Sequence, residues 1–458
     1  MRLGEWLYQE IRGAILSGRL GRGLLLPATR ELAEAQGVSR RVVVTAYERL
    51  QEEGYLSSVG GSGTRVSESV PEDFVASSAS ASAMQREERL PEIYRRPARA
   101  FRPIEPALDE FPLEVWAKTA MRVLRRSSVK MLAGGDALGM LELRRAIVAY
   151  LGTSRGLSCG AGNIIVTNGT QQSLDLLARV LLQPGDSVWM EDPGYVGATE
   201  AFQNAGAKIV AVKVDEQGLN FELGKRLCAK PKLVYLTPAH QFGMGVALSL
   251  ERRFALLRWA RVNDVALLED DYDSEFRFRG RPVPAMKGLA GGDSVILLGS
   301  FNKVLFPSLR LGYIVAPEAL VERIVKLRFQ SDRYPAAIPQ AILSRFMEEG
   351  HFGRHLRRMR MIYAERCDAL VSAVERHLDG VLALPEIQAG LNTPAFLLNG
   401  MSSREASRRA AAENIEAWPL DRLTLRRRDL RGLLLGFAAF RPREIRAGVE
   451  ALARALGQ

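Results

Sequence analysis

SVILLGSFNKVLFPSLRLGYIVAP, residues 294–317, reads as a strand, a turn and a second extended run. The first apolar run ends at Leu298 and leaves Ser300, Lys303 and Arg310 on the turn. Ligands of open α/β sheets sit at the carboxyl ends of strands, so chemistry is expected on this turn. A lysine shielded from water, or set beside other cations, has a lowered pKa and attacks carbonyls. A hydroxyl three residues before it and a guanidinium seven after it suit a phosphate. Taken alone, a lysine after a strand is more often a surface residue. Lysine is scarce in this arginine-rich chain, however, which makes Lys303 notable.

Three further strand ends reinforce it. VTNGTQQ (166–172) sets Asn168, Gly169, Thr170 and Gln171 between a strand and a helix, where backbone N–H groups and the helix dipole cradle an anion. VALLEDDYDSEF (265–276) ends a strand with Asp270, and Tyr272 follows. That carboxylate suits a pyridinium nitrogen and the phenol suits a ring oxygen. SVWMEDPGY (187–195) ends on Tyr195, an aromatic able to stack on a ring. Each signal is weak by itself, since an acidic strand end also caps helices. Together, in this order, they are specific. NIIVT, KIVAV and LVYLT alternate with helical stretches around them, which predicts an α/β domain with a mainly parallel sheet. After about residue 315 the chain is richer in helix and arginine, and a smaller α+β lobe is expected there.

The chain has 458 residues, 47% of them hydrophobic and 25% charged, which is the composition of a globular protein of two or three domains. No run of eighteen apolar residues suggests a membrane span, and the first twenty residues lack the apolar core of a signal peptide. Three scattered cysteines, Cys159, Cys228 and Cys367, argue against a disulfide scaffold or a zinc site and fit a cytoplasmic location. A net charge of +11 permits nucleic-acid binding without requiring it.

Residues 67–100, with the run SSASASA, hold small residues, prolines and charges but no apolar periodicity, and read as a linker. Before it, residues 1–66 read as three helices and a hairpin. Leu3, Leu7, Ile11, Ala14 and Ile15 recur at helical spacing. Gly37 breaks a second helix, and Ser39 is a good N-cap for a third. YLSSV and TRVS, joined by GGSG, are a hairpin signal. Helix–turn–helix plus hairpin describes a winged helix, whose recognition helix enters the major groove by its N-terminus. That helix starts Ser39-Arg40-Arg41, and arginine can donate two hydrogen bonds to guanine. Arg30 and Arg49 are placed to hold phosphates, and the wing to lie along the minor groove. Nine Arg against seven Glu leave this unit at only +2, so arrangement rather than charge carries the case.

LPATRELAEAQGVSRRVVVTAYERLQEEGYLSSVGGSGTRVS (26–67) resembles the winged-helix domain of the GntR regulator family almost end to end. The resemblance implies DNA contacts at Arg30, Ser39, Arg40, Arg41, Thr64 and Arg65, with Arg41 where Asn or Thr is usual. The second set of motifs resembles the fold-type I aminotransferases that use pyridoxal phosphate. The whole chain is similar to the MocR/GabR subfamily, which joins the two: a GntR winged helix at 1–66, a linker at 67–100 and an aminotransferase-like domain at 101–458. By that resemblance Lys303 is the internal-aldimine lysine and Asp270 pairs with the pyridine nitrogen. Tyr272 contacts the ring hydroxyl and Tyr195 stacks on the ring. Gly169, Thr170, Ser300 and Arg310 hold the phosphate, with Asn168 and Gln171 adjacent. No metal is implied.

The chain departs from the subfamily pattern at several points. Gly243 replaces the proline of HQxPxG, Asn302 the serine before the lysine, and Gly134 the aromatic of YGD. The carboxylate-binding arginine of aminotransferases aligns with Leu434, and the second arginine of the GABA-responsive relative with Gly197. Arg431 is a candidate substitute. These losses argue against GABA as effector and against efficient transamination. The resemblance implies a homodimer acting on a double-stranded DNA operator, with pyridoxal phosphate or an amine or amino acid as effector. An active aminotransferase with an accessory winged helix is the alternative, and a dimerisation scaffold with a degenerate site is a third reading.

Overall fold

The computed structural model describes residues 3–58, 63–71, 99–280 and 283–457, with Lys130 described only in its backbone. The chain divides into two compact units, Met1–Pro97 and Ala98–Gln458.

In the first unit α1 (Leu3–Leu16) buries Leu7, Tyr8, Ile11 and Ile15, the face its spacing predicts. Leu3, expected on that face, is exposed. α2 (Thr29–Gln36) ends at Gly37, whose left-handed φ of 63° lets its N–H close on Ala33 and Glu34. α3 (Arg40–Glu52) buries Val43, Ala46, Tyr47 and Leu50, one stripe at i, i+3, i+4 and i+7. β1 (Leu56–Ser58) and β2 (Thr64–Val66) pair antiparallel. The turn between them, Gly60–Ser62 included, lies outside the described residues, as does most of the stretch read as linker. Val70, inside that stretch, is buried in the first core, and Ala100 bridges Ile415 in the large unit. The connecting segment is therefore shorter than 67–100 at both ends.

The large unit is built on an eight-stranded sheet. Its strands are β3 (Ile164–Thr167), β4 (Ser187–Asp192), β5 (Lys208–Asp215), β6 (Gly218–Leu219), β7 (Leu233–Leu236), β8 (Ala266–Asp271), β9 (Ile296–Ser300) and β10 (Gly312–Val315), in the order β3-β10-β9-β8-β7-β4-β5-β6. β9, β8, β7, β4 and β5 are parallel, while β10 runs against both β3 and β9. β9 continues to Ser300, two residues past the end expected at Leu298. Alternate residues serve the two faces, as the pleat requires. Met190, Tyr235 and Leu268 pack with the helices Thr170–Leu181 and Val196–Asn204, while Trp189, Val234 and Leu267 pack with Leu250–Asn263.

The C-terminal lobe is α+β, as its composition suggests. β11 (Leu382–Ala383), β12 (Asn392–Leu397), β13 (Trp418–Pro419) and β14 (Gly432–Gly436) form an antiparallel sheet in the order β11-β12-β14-β13. The helices Ser403–Ala412 and Pro442–Leu456 back it, and the 27-residue helix His351–His377 leads into it. Among the described residues no helix is long and apolar enough to cross a membrane.

Candidate functional site

Sheet register assembles the site. Gly312, the first residue of β10, pairs with Thr167 on one side and Ser300 on the other. Because β10 runs against its neighbours, it begins where they end. The Arg310 that precedes it thus arrives at the same edge as the Asn168–Thr170 turn and Ser300. The backbones come close there. A Cβ on Gly169 (φ 112°) would lie 2.7 Å from Asn302 Nδ2, and one on Gly312 would lie 2.9 Å from Gly169 Cα. Only glycine allows this approach. Arg310 is exposed, in a left-handed conformation (φ 52°), and bonds to none of the described residues. Asn168 turns its amide toward Asp332 at 3.4 Å. Gln171 donates to Gly197 O at 3.0 Å and accepts from Tyr195 Oη at 3.3 Å.

Lys303 donates from Nζ to the carbonyl of Ile104 at 2.9 Å. Burial pushes its pKa below the ordinary lysine value, and the nearby Glu105 carboxylate opposes that shift. Ile104 has φ 66°, a left-handed backbone that a β-branched residue adopts at a cost of about 1–3 kcal/mol. Sequence reading missed Ile104, because nothing local marks a residue 199 positions away as a lysine's partner.

Asp270 stands at the end of β8, buried, with Oδ2 accepting from Tyr235 Oη at 2.7 Å. Oδ1 is buried and has no hydrogen-bond partner among the described residues. Burial, helped by Asp271, Glu191 and Asp273, pushes Asp270 up to about 7, against the Tyr235 hydrogen bond. Glu191, at the end of β4, is also pushed up to about 7 by burial. Tyr235 sits on β7, and its role shows only once β7 is paired with β8.

Tyr272 is buried and its hydroxyl lies 3.1 Å from His240 Nδ1, which is also 2.9 Å from Asp273 Oδ2. Asp273 and His240 together fix the phenol. A Cβ on Gly390 (φ 93°) would lie 2.1 Å from His240 Cε1, so glycine makes room for the ring. Tyr195 caps the helix Val196–Asn204, edge-on to Phe242 with centroids 5.4 Å apart. Asp192 ties this corner to the small lobe by accepting from the N–H groups of Leu425, Arg426 and Arg427 at 2.8–3.0 Å.

One wall of the site is apolar. Phe242, Tyr272, Leu420, Leu423 and Leu434 form a buried cluster, with Ile104, Tyr195, Phe396 and Trp418 packed against it. Leu434 is fully buried in β14. Arg431, the candidate substitute for a carboxylate-binding arginine, is exposed and donates to Gly400 O at 3.2 Å. It is not part of the cluster. A Cβ on Gly197 would lie 2.7 Å from Gln171 Oε1 and from the Tyr195 phenol, so a side chain there would require those two side-chain ends to shift.

In the first unit Arg30, Ser39, Arg40, Arg41 and Arg65 are exposed and Thr64 is half-buried. Ser39 occupies the N-cap of α3, but its hydroxyl makes no capping bond and points at no partner within the helix. Arg40 reaches Thr29 Oγ1 at 3.4 Å, and Arg65 donates to Gly23 O at 3.0 Å. Arg49 has an internal role, contrary to its reading as a phosphate contact. It pairs with Glu5 at 2.7 Å and Glu53 at 3.0 Å and lies over the Tyr8 ring, clamping α1 to α3.

Comparison with known proteins matches both halves. Residues 3–66 match the family of bacterial regulatory proteins called gntR, and residues 105–410 match aminotransferase class I and II. The chain is 39% identical to the probable rhizopine catabolism regulatory protein MocR of Rhizobium meliloti, over 97% of this chain and 92% of that one. It is 33% identical to the pyridoxine biosynthesis transcriptional regulator PdxR of Corynebacterium glutamicum, over 79% and 76%. Among solved structures it resembles α-aminoadipate aminotransferase LysN of Thermus thermophilus, at a TM-score of 0.72 and 29% identity over 78% of this chain and 91% of that one. The chain therefore belongs to the MocR-type branch of the gntR regulators, in which a winged helix is joined to a fold-type I aminotransferase fold.

Proposed function

We propose that the chain is a DNA-binding transcription regulator whose large unit holds pyridoxal phosphate at Lys303 and responds to that cofactor or to an amine or amino acid. The observation that carries this reading is Asp270. A buried carboxyl with one oxygen engaged by Tyr235 and the other without a partner calls for a donor from a ligand. A pyridine nitrogen carrying a proton supplies one. The rest of the donor set fits the same group. Gly169, Thr170, Ser300 and Arg310, which has no partner among the described residues, suit its phosphate, Tyr272 its ring hydroxyl and Tyr195 its ring face.

The cofactor supplies an electrophilic carbonyl and an electron-accepting ring. The chain's own residues do the rest. Burial lowers the pKa of Lys303, so that Nζ is more readily the free base. Asp270 holds a proton at the ring nitrogen, and the Asp273–His240 pair orients the Tyr272 hydroxyl. The small lobe, tied down at Asp192, keeps water from one side. Differential affinity of an effector for two arrangements of the protein would then bias DNA binding.

We read the assembly as a homodimer in the cytoplasm. Leu113, Met121, Leu124, Val129 and Leu132 are exposed on neighbouring helices, an apolar patch that a second copy would cover. Two winged helices then address two half-sites of an operator through Arg30, Ser39, Arg40, Arg41, Thr64 and Arg65. The alternative, an active aminotransferase, is favoured by the intact Lys303 and Asp270 and opposed by the apolar position of Leu434.

The test is the visible spectrum of the purified protein with added pyridoxal phosphate, beside Lys303→Ala, together with footprinting of its own promoter region. A yellow band lost in the variant, and a protected DNA site, are expected. A colourless parent that takes up no cofactor overturns the sensing role. Steady turnover of amino acids would instead establish the alternative.

A further inference from the structure

The turn between β3 and the helix Thr170–Leu181 is held by a pair of residues far along the chain. No side chain caps that helix, and its first backbone N–H groups have no intrahelical acceptor, which suits an anion. The two amides beside it are bound elsewhere. Gln172 Nε2 donates to Asp332 Oδ2 at 2.7 Å, and Asn168 Nδ2 donates to the same oxygen at 3.4 Å. Gln172 Oε1 accepts from the Asn168 N–H at 2.7 Å and closes the turn on itself. Asp332 is fixed in its turn by Arg328, on the helix Glu318–Ser331, whose Nε and Nη2 donate to its two oxygens at 3.0 and 3.2 Å. Arg328 is fully buried, and its Nη1 donates to the carbonyl of Val166 on β3, two residues before Asn168. Burial lowers the Arg328 pKa, and Asp332 opposes that shift. One guanidinium thus grips the strand that enters the turn and, through Asp332, both amides of the turn.

We infer that Arg328 and Asp332 are positioning residues for recognition of the cofactor phosphate. This deepens the reading of Lys303 as the cofactor lysine and rests on it. The pair acts through the turn. By tying down Asn168 and Gln172, Asp332 keeps the backbone N–H groups of Gly169, Thr170 and Gln171 set for an anion before one arrives. Binding then does not have to order the turn. Arg328 neutralises a carboxylate that would otherwise repel a phosphate at this edge. The pyridine ring is held by other residues, Asp270, Tyr272 and Tyr195, so the pair should matter for the phosphate alone. Nothing local in the sequence marks it, since Asp332 stands 160 positions from Gln172.

The test uses the full chain and two probes, pyridoxal phosphate and pyridoxal, which differ only by the phosphate. Both carry the aldehyde, so the visible band titrates both. Asp332→Ala removes the centre of the arrangement. Gln172→Ala cuts the link at the turn and leaves the buried Arg328–Asp332 pair intact, so it decides the matter if Asp332→Ala does not fold. Each variant should weaken pyridoxal phosphate by about tenfold or more and change pyridoxal by less than about twofold. A merely structural role would move both probes together. Equal losses for the two probes, or unchanged affinity for pyridoxal phosphate in Gln172→Ala, overturns the inference. The band of the parent is recorded first. If it is present and the variants lose both probes alike, this inference alone fails; if it is absent, the cofactor reading fails and takes the inference with it.

Discussion

The two units place their candidate functional residues in opposite ways. In the winged helix the candidates are exposed except for the half-buried Thr64, and they are spread over α2 (Arg30), the start of α3 (Ser39, Arg40, Arg41) and β2 (Thr64, Arg65). In the large unit Asp270 is buried, Lys303 is half-buried with its amine engaged, and both are set among strand ends that lie between Thr167 and Gly312. An exposed reader can change without disturbing the fold, because its side chains make few internal contacts. A buried site cannot, because its groups are both ligand contacts and structural ones. Arg49 is the exception in the first unit, basic and on the recognition helix yet spent on holding α1.

The sharpest break of this contrast is at Lys303. Lys303→Ala should abolish the visible cofactor band altogether, read by absorption, while leaving operator affinity measurable by footprinting.

Asp270→Asn comes next. Losing a charge-assisted bond should weaken cofactor binding by about 10- to 100-fold, measured by titration of the band. The same residue gives a pH signature without cofactor. Asp270 and Glu191 are raised to about 7 in the fold, against about 4 unfolded. Between those values the native state binds more protons than the unfolded state, so stability should fall as pH rises from about 4 to 7 and level off above. A melting temperature that rises over that window would contradict the burial argument. Asp270→Asn should flatten the fall.

In the winged helix, Arg40→Ala or Arg41→Ala should each weaken operator binding by about tenfold or more, by mobility shift. Melting should barely move. The smallest effect separates Arg49 from them. Arg49→Ala should lower the melting temperature of the first unit slightly and leave operator affinity close to that of the parent. A large loss of affinity at unchanged stability would restore Arg49 to the phosphate contacts.

The sequence by itself determined the winged helix and the aminotransferase fold, and it singled out the candidate site residues. The helices of the first unit follow from apolar spacing and from Gly37, which are local properties. Lys303, Asp270, Tyr195 and the stretch 168–171 were singled out because each lies at or just after a strand end, which is where such sheets bind ligands. Tertiary structure alone decided what surrounds them. The antiparallel course of β10 brings Arg310 to the edge. The pairing of β7 with β8 gives Asp270 its Tyr235 partner, and a close approach at Gly390 admits His240. The left-handed Ile104 meets Lys303 across 199 residues. Spacing in a sequence records periodicity within one element, whereas a buried site is made by register and packing between elements, which no local pattern encodes.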